Sequence, residues 1–259
     1  MKNESLMADE IIISDDGSQE AITLAIQGIV DEMKCKVKFT SQEHKGFRLA
    51  RCRNNGARVA SGEYLIFIDQ DIVLTENFIE TFINHKNERQ FCVAYPIRLT
   101  VKQTDLLNDS IIASFNFKPM LEKKQIQKIK KQYIKDNFYR LLKRFRVREI
   151  GPKLRGGVAA INREDYIQVN GYDENYQGWG NEDDDLGRRL YRAGIHGKNP
   201  FCHEFPLHLY HEPNHRQGKR VNQTYYLQRL KEIKNGSYRC ECGFENPSNS
   251  EKIINLDLN

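Results

Sequence analysis

The apolar run YLIFI at residues 64–68 stops abruptly on Asp69-Gln70-Asp71, and this feature constrains the fold more than any other. An earlier run, EIIIS at residues 10–14, stops in the same way on an acidic turn, DDGS. Short apolar runs closed by such turns are typical of buried strands. Residues 49–60, which lie between the runs, show helical spacing of small apolar side chains. Helices that alternate with strands predict an α/β fold with a mostly parallel central sheet and flanking helices.

Hydrophobic periodicity places the remaining elements along the chain. Further strands are predicted at residues 36–40, 91–95 and 205–211, a Gly-Gly turn with a short strand at 155–161, and helices at residues 19–33, 76–85, 120–148, 182–193 and 221–235. The last stretch is polar and has no clear period, so we expect a loose tail. We therefore divide the chain into residues 1–117, a basic amphipathic helical insertion at 118–150, residues 151–235 and a polar tail at 236–259.

Positive charge is concentrated in one segment of the chain. Residues 118–148 hold twelve Lys or Arg against two acids, a balance of +10 in a chain whose net charge is +5. Their apolar residues recur at helical spacing, which fits either a helix on an anionic membrane surface or a lid helix with a solvated basic face. A nucleic-acid partner is not expected, because no motif of aromatic and basic residues for it is present.

Long apolar segments are missing from the sequence. No run approaches the roughly 18 residues that a membrane span needs, and the first ten residues contain no signal-peptide core. We expect a cytoplasmic protein, with peripheral contact at the inner face of the cytoplasmic membrane through residues 120–148 as an open alternative. The six cysteines are expected to be free thiols, and a metal site at Cys240 and Cys242 is the alternative.

The Asp69-Gln70-Asp71 turn is a candidate metal site. Two carboxylates one residue apart at a strand end can both reach a hard divalent cation or its waters, which suits Mn²⁺ or Mg²⁺. The alternative is an ordinary strand-end turn, where Asp is common. His208 and His211 would point to opposite faces of an ideal strand, so one histidine at most is expected to complete the metal shell from it. The full histidine group is His203, His208, His211 and His215.

Four acids in succession, residues 182–185, begin a predicted helix behind Gly178-Trp179-Gly180. Acids at a helix N-terminus are favoured by the helix dipole, and one or two of them would need no further explanation. Four adjacent like charges repel one another, which favours a functional role. An aromatic face can pack on a sugar ring, and a carboxylate can serve as general base for a sugar hydroxyl.

A group of hydrogen-bond donors surrounds the start of the helix at 49–60. Its members are Arg48, Arg51, Arg53, Asn54 and Asn55. These side chains could contact a diphosphate or a ribose, or they could balance neighbouring carboxylates, and the sequence leaves both interpretations open.

Two parts of the sequence resemble a known family. DEIIISDDGS and HKGFRLARCRNNGARVASGEYLIFIDQD are similar to the family 2 glycosyltransferases of the GT-A fold. RGGVAAINREDYIQVNGYDENYQGWGNEDDDLGRRL resembles the galactosyltransferase-like C-terminal half of bacterial polysaccharide enzymes and animal β-1,4-galactosyltransferases. The resemblance implies an inverting, metal-dependent hexosyltransferase. Such an enzyme would move a hexose or N-acetylhexosamine from a UDP-sugar to a glycan or lipid-linked glycan, in bacterial surface polysaccharide synthesis.

The resemblance also implies roles for individual residues. Residues 1–117 would be the nucleotide-sugar-binding half, in which Asp16 matches the position that pairs with the uracil ring. The other residues implied for donor binding are Arg48, Asn55 and Asp69, and those implied for Mn²⁺ or Mg²⁺ are Asp71 and His211.

Residues 151–235 would be the acceptor-binding and catalytic half. Asp183 matches the catalytic base, which would deprotonate the acceptor hydroxyl as UDP departs on the metal. The residues implied for acceptor binding are Trp179, Glu182, Asp184 and Gly157.

One departure from the family pattern concerns the start of the chain. Family members begin with an apolar strand and a P-x-[YF]-N turn, whereas MKNESLMAD resembles the end of the helix that follows them. We therefore expect the usual first strand to be missing. A second hypothesis is a truncated or degenerate member that binds sugar or metal without turnover. A third is a metal-dependent phosphoryl or nucleotidyl transferase, which would need no Trp179 platform.

Overall fold

The computed structural model describes residues 5–155, 157–212, 221–248 and 251–259. The chain divides into two compact units, each built from segments that are separate in sequence. The first unit comprises Met1–Met7, Ile66–Ile161 and Ile195–Pro213. The second comprises Ala8–Leu65, Asn162–Gly194 and Asn214–Asn259.

Helices and strands alternate along most of the chain. The strands are β1 Glu10–Asp15, β2 Lys36–Gln42, β3 Tyr64–Ile68, β4 Ile72–Val73, β5 Gln90–Val93, β6 Ile97–Arg98, β7 Val158–Asn162, β8 His196–Lys198, β9 Leu207–His208 and β10 Ile253–Asp257. The helices are α1 Ile22–Val30, α2 Leu49–Val59, α3 Phe78–Ile83, α4 Val101–Asp105, α5 Asp109–Ser114, α6 Lys123–Arg144, α7 Arg163–Gln168, α8 Glu182–Arg192 and α9 Gln223–Lys234.

The second unit contains a three-stranded sheet in the order β1-β2-β10. Strands β1 and β2 are parallel, and β10 runs antiparallel to β2. Helix α2 packs on β1 and β2, and its small residues allow a close approach. A Cβ atom on Gly56 would lie 3.3 Å from the Cβ of Ser14, and Ala50 and Ala57 are buried.

The first unit contains two sheets, in the orders β3-β7-β5-β8 and β4-β9-β6. Strand β5 is antiparallel to β7 and parallel to β8, whereas β9 is antiparallel to β4 and parallel to β6. Three aromatic rings form part of its core: Phe82 makes edge contacts with Phe78 and Phe201 at centroid distances of 5.2 and 5.0 Å. This apolar cluster anchors α3.

The structure confirms the α/β class and most predicted elements, and it corrects three details. Strand pairing is more mixed than the predicted mostly parallel sheet. The strand predicted at 205–211 shrinks to β9, in part because Pro206 has no backbone N–H for a ladder. The tail is not loose throughout, since β10 bonds to β2 through backbone groups, an interaction that polar composition does not prevent. No helix in the described part of the chain is both long and apolar enough to cross a bilayer.

Candidate functional site

Asp71, His208 and His211 form a candidate metal centre in the first unit. One ligand atom from each lies within 4.8 Å of the others. The Nε2 atoms of His208 and His211 are 3.4 and 3.2 Å from Oδ2 of Asp71. Two imidazoles and a carboxylate are a donor set for a divalent transition metal.

The backbone around this centre explains its geometry. Strand β9 pairs with β4, and the N–H of Leu209 donates to the carbonyl of Asp71 at 2.9 Å, which brings the histidine segment beside Asp71. Nδ1 of His208 contacts the Leu209 carbonyl at 2.7 Å, and Nδ1 of His211 contacts the Glu212 carbonyl at 3.1 Å. A carbonyl only accepts, so Nδ1 of each ring is the donor in these contacts, and Nε2 is the ring atom that faces Asp71 and could bind a metal ion.

The carboxylate of Asp71 also supports a cation at this centre. Oδ1 of Asp71 is buried and has no hydrogen-bond partner among the described residues. A buried, unsatisfied carboxylate oxygen is costly unless a charge compensates it. Imidazole ligands suit Mn²⁺ better than Mg²⁺, whose ligands are oxygens.

The sequence predicted one histidine at this centre, and the structure brings two. Strand β9 ends at His208, so the alternation of faces does not extend to His211. The spacing H-x-x-H just beyond a short strand was the signal that could have identified His208. Asp69 is not one of the three clustered residues; its N–H bonds to the carbonyl of Gly157 at 2.9 Å. His215 lies outside the described residues.

Removing either imidazole is expected to weaken Mn²⁺ binding. We expect His208→Ala and His211→Ala each to lower the affinity at least about tenfold, because each removes one of three protein ligands. The electron paramagnetic resonance signal of free Mn²⁺ in a titration measures this affinity. His203→Ala is the matched control, since His203 is exposed and outside the cluster. Equal affinities for all variants would refute the site.

The acidic run at the start of α8, in the second unit, is matched by arginines. Each of three acids has an arginine partner at 2.6 Å: Arg53 for Asp183, Arg188 for Asp184 and Arg189 for Asp185. Two of these pairs span four residues of the helix, where side chains share a face. The repulsion expected from the sequence is therefore largely offset, and Glu182 is the acid for which no arginine pair is found among the described residues.

Asp183 is held in one orientation by two neighbours. Oδ1 accepts hydrogen bonds from Arg53 at 2.6 Å and from the Tyr172 hydroxyl at 3.0 Å. The Arg53 guanidinium also lies 5.1 Å from the centre of the Tyr172 ring. Both bonds described for Asp183 fall on Oδ1, and its side chain is 13% exposed. The second carboxylate oxygen can therefore meet a ligand hydroxyl. The sequence placed Arg53 among phosphate-contact candidates and did not single out Tyr172.

Glu182 is buried, and its Oε2 has no hydrogen-bond partner among the described residues. Burial, together with the charge of Asp183, raises the pKa of Glu182 from 4.5 to about 7. The carboxyl is therefore largely protonated in mildly acidic solution. A carboxyl in this state can donate a hydrogen bond as well as accept one.

The raised pKa of Glu182 predicts a pH-dependent stability. The folded state holds this proton more tightly than the unfolded state, so the free energy of unfolding falls as pH rises from about 4.5 to 7. We expect Glu182→Gln to reduce that fall by on the order of 1–3 kcal/mol between pH 5 and 8. Urea unfolding at both pH values measures it. Glu164→Gln, at an exposed position, should keep the wild-type slope, and a wild-type slope in Glu182→Gln would contradict the prediction.

Trp179 stands on a loop that backbone contacts hold in place. The N–H of Gly178 donates to the Phe47 carbonyl at 2.8 Å, and the Asn222 amide donates to the carbonyls of Gly178 and Gly180 at 3.3 and 3.2 Å. Gly178 and Gly180 have φ values of +79° and +108°, which glycine adopts without strain. The Trp179 side chain remains 45% exposed, a geometry open to a flat ligand.

Asp184, which the sequence assigned to acceptor binding, is engaged within the second unit. Its Oδ2 accepts hydrogen bonds from Arg188 and from the Tyr226 hydroxyl. Tyr226 belongs to α9, so this acid links α8 to α9. Gly157, also assigned to the acceptor, lies in the first unit, with φ of +98°.

The predicted donor residues Asp16, Arg48 and Asn55 lie together in the second unit. Asp16 accepts hydrogen bonds from the backbone N–H of Arg48 at 2.6 Å and from the Gln42 amide. Oε1 of Gln42 in turn accepts from Asn55 at 2.8 Å. Gln42, at the end of β2, thus links two of the predicted residues, and the sequence did not identify it.

The Arg48 side chain has a carboxylate partner from the segment before β10. Glu251 accepts from Nη1 of Arg48 and from Lys45, both at 2.8 Å. Hydrogen bonds from Lys45 and Arg48 lower the pKa of Glu251 to about 2. In this structure the Arg48 guanidinium is therefore balanced by a carboxylate, which was one of the two interpretations open from the sequence.

Comparison with known proteins gives two family matches. The model for "Glycosyl transferase family 2" matches residues 1–151, and that for "N-terminal domain of galactosyltransferase" matches residues 136–212. Validoxylamine A glucosyltransferase of Streptomyces hygroscopicus subsp. jinggangensis (strain 5008) is 26% identical over 72% of this chain and 44% of its own length. Chondroitin synthase of Pasteurella multocida (strain Pm70) is 25% identical over 71% of this chain and 20% of its own. The chain spans less than half the length of these relatives.

A solved structure shows the same fold. The structure of GalNAc-T7 with UDP, GalNAc and Mn²⁺ matches 87% of this chain and 44% of that chain, with a TM-score of 0.55 and 17% identity. At that identity the likeness establishes the predicted GT-A fold alone. The family 2 model covers more than half of the sequence, and the chain therefore belongs to glycosyl transferase family 2.

Proposed function

We propose that the chain transfers a hexose or N-acetylhexosamine from a UDP-sugar to a glycan hydroxyl, with inversion at the anomeric carbon. The observation that carries this proposal is the geometry of Asp183, whose Oδ1 is fixed by Arg53 and Tyr172. Its other oxygen can take the proton of the acceptor hydroxyl, which attacks the anomeric carbon from the face opposite UDP. Family membership supports the same chemistry.

Several residues would orient the acceptor. Trp179 would pack on a sugar ring, and its exposed face and fixed loop support that role. Glu182, with a pKa near 7, would donate a hydrogen bond to a sugar oxygen when protonated. Asp184 would accept one from a hydroxyl, while Arg188 holds it in place. Gly157 would let a substrate approach the backbone, as it has no side chain.

A second group of residues would bind the donor. Asp71, His208 and His211 would hold Mn²⁺, with Mg²⁺ as a weaker alternative. When bound, the ion would neutralise charge on the departing diphosphate. Asp69, one turn residue away from Asp71, would contact the donor or the waters of the ion. The structure of GalNAc-T7, which contains UDP, GalNAc and Mn²⁺, supports the proposal of a UDP-sugar donor and of Mn²⁺ as the metal ion.

The nucleoside would bind beside Asp16, whose carboxylate matches the uracil-pairing position. Arg48 and Asn55 would complete this pocket. Arg48 would contact the donor with its guanidinium, and Asn55 would act indirectly, by holding the Gln42 side chain that bonds to Asp16. Because Glu251 neutralises Arg48 here, a phosphate group would have to compete with that carboxylate or be bound beside it.

The acceptor would be a growing bacterial surface polysaccharide, free or lipid-linked, made on the cytoplasmic side of the membrane. The similarity to chondroitin synthases from Pasteurella multocida and Escherichia coli supports a polysaccharide acceptor. Chemically, any such acceptor presents the hydroxyl that Asp183 would deprotonate.

Release of UDP tests the proposed reaction. The purified chain, given a panel of UDP-hexoses and UDP-N-acetylhexosamines with oligosaccharide acceptors, is expected to release UDP with Mn²⁺ and to stop when a chelator is added. Mass spectrometry of the acceptor should show a gain of one sugar. Metal binding without UDP release would support the non-catalytic alternative, and release of UMP would support a nucleotidyl or phosphoryl transferase.

A further inference from the structure

A stripe of exposed apolar side chains runs along α6. Its members follow one another at spacings of four, three and four residues, so they lie on one side of the C-terminal half of the helix and of the residue that ends it. They are Ile134, Phe138, Leu141 and Phe145. Their exposed fractions are 65%, 55%, 49% and 67%. We call these four residues the α6 stripe. Large apolar side chains that are exposed side by side mark an interaction surface.

The opposite side of α6 is already in use within the first unit. Asp136, two residues from Ile134 and therefore on the far side of the helix, is 2% exposed. It accepts hydrogen bonds from Gln132 at 2.8 Å and from Asn199 at 2.9 Å. Helix α6 packs on β6 and β8. The stripe therefore faces away from the side of α6 that packs on the first unit. A lid helix would need an apolar side only toward the unit, so that alternative does not explain a second, exposed apolar side.

The charges around the stripe identify the kind of partner. Five exposed basic residues flank it: Lys130, Lys131, Lys135, Arg144 and Arg146. The two acids of residues 118–148 are Glu122, at the start of the helix, and the buried Asp136. An apolar stripe between basic flanks matches the boundary between anionic headgroups and acyl chains.

Other partners fit these observations less well. A second copy of the chain would bring two surfaces of about +10 charge together, which opposes association. A nucleic acid would satisfy the basic residues and would leave four large apolar side chains facing a charged backbone.

We propose that α6 binds the surface of an anionic lipid bilayer. The α6 stripe would enter the boundary between headgroups and acyl chains, and the flanking Lys and Arg side chains would contact the headgroups. Binding would be peripheral, with the helix parallel to the surface. The proposal stands on α6 alone and does not depend on glycosyl transfer.

Vesicle flotation tests this surface. The full chain is expected to float with vesicles of phosphatidylcholine and phosphatidylglycerol, to remain unbound with phosphatidylcholine alone, and to dissociate as salt is raised. Ile134→Ser with Phe138→Ser should weaken binding at least about tenfold, by removing apolar contact. Lys131→Gln with Lys135→Gln should weaken it about fivefold per charge.

A matched control removes apolar surface elsewhere. Leu24 and Ile29 of α1 are 78% and 60% exposed, so Leu24→Ser with Ile29→Ser should bind vesicles as the wild type does. Circular dichroism of every variant verifies that the helices remain. Because the lysine pair leaves the stripe intact, it tests the proposal even if the serine pair fails to fold.

Four results would overturn the proposal. The first is that the wild type does not float with anionic vesicles, and the second is that the serine pair floats as well as the wild type. The third is that the α1 control no longer floats. The fourth is that duplex DNA displaces the wild type from the vesicles and binds the serine pair equally well. A concentration-dependent dimer that the serine pair abolishes would assign the stripe to a second copy instead. Flotation without UDP release would leave the membrane surface established and the proposed reaction refuted.

Discussion

Asp183→Asn is expected to slow sugar transfer by about 10²- to 10⁴-fold, the contribution typical of a general base. The amide keeps the shape of the side chain and can still accept a hydrogen bond from Arg53, but it cannot take a proton from the acceptor. The decrease should appear in the turnover rate, measured as UDP release at saturating concentrations of donor and acceptor. Donor affinity, measured by titration calorimetry with UDP, should change little.

A surface carboxylate provides the control for this substitution. Asp31→Asn makes the same chemical change at an exposed position of the second unit, and its turnover should equal that of the wild type. If Asp183→Asn keeps more than about a tenth of the activity, Asp183 is not the base. Glu182, with its pKa near 7, would then be the next candidate.

Arg189→Met is expected to lower the free energy of unfolding by about 3–5 kcal/mol, the cost of removing the hydrogen-bonded partner of a buried charge; Arg229, whose Nε lies 3.7 Å from Oδ1 of Asp185, is too far away to replace that hydrogen bond. The side chains of Arg189 and Asp185 are both fully buried, with Nε and Oδ2 at 2.6 Å. Nη1 of Arg189 also donates to the carbonyls of Val169 and Gly171 at 2.7 and 2.8 Å. Methionine fills part of the space but leaves Asp185 and both carbonyls short of a donor.

Urea unfolding measures this loss, and a residue three positions along the chain controls for it. Arg192→Met removes an exposed arginine from the same helix and should change stability by less than about 0.5 kcal/mol. Asp185→Leu combined with Arg189→Met should recover part of the loss, because no buried charge is then left unpaired. A single Arg189→Met variant as stable as the Arg192→Met control would contradict the structural role of the pair.

Local sequence patterns correctly predicted those helices and strands whose conformation is determined by residues close to one another in the chain. The run 64–68 became β3 at the same residues, because five apolar side chains closed by an acidic turn have few alternatives to a buried strand. Helix α8 begins at Glu182, as its acids and the glycines before it predicted. The α/β class followed from the alternation of these elements.

Interactions between distant parts of the sequence could not be predicted in the same way. Arg53 and Asp183 are 130 positions apart, and nothing in either neighbourhood specifies the other. His208 was missed because the predicted strand was too long, and an alternation rule then placed it away from His211. Strand β10 was missed because backbone pairing to β2 needs only an available edge.

The arginine partners of the acidic run have a consequence for its chemistry. Three of its four carboxylates each lie beside an arginine, and the fourth, Glu182, is partly protonated near neutral pH, so the negative charge at the start of α8 is largely balanced and attracts a cation only weakly. The run is therefore a set of oriented oxygen acceptors whose negative charge is largely balanced by neighbouring arginines. Such a surface favours neutral ligands with many hydroxyl groups, because it can bind them without drawing ions from solution.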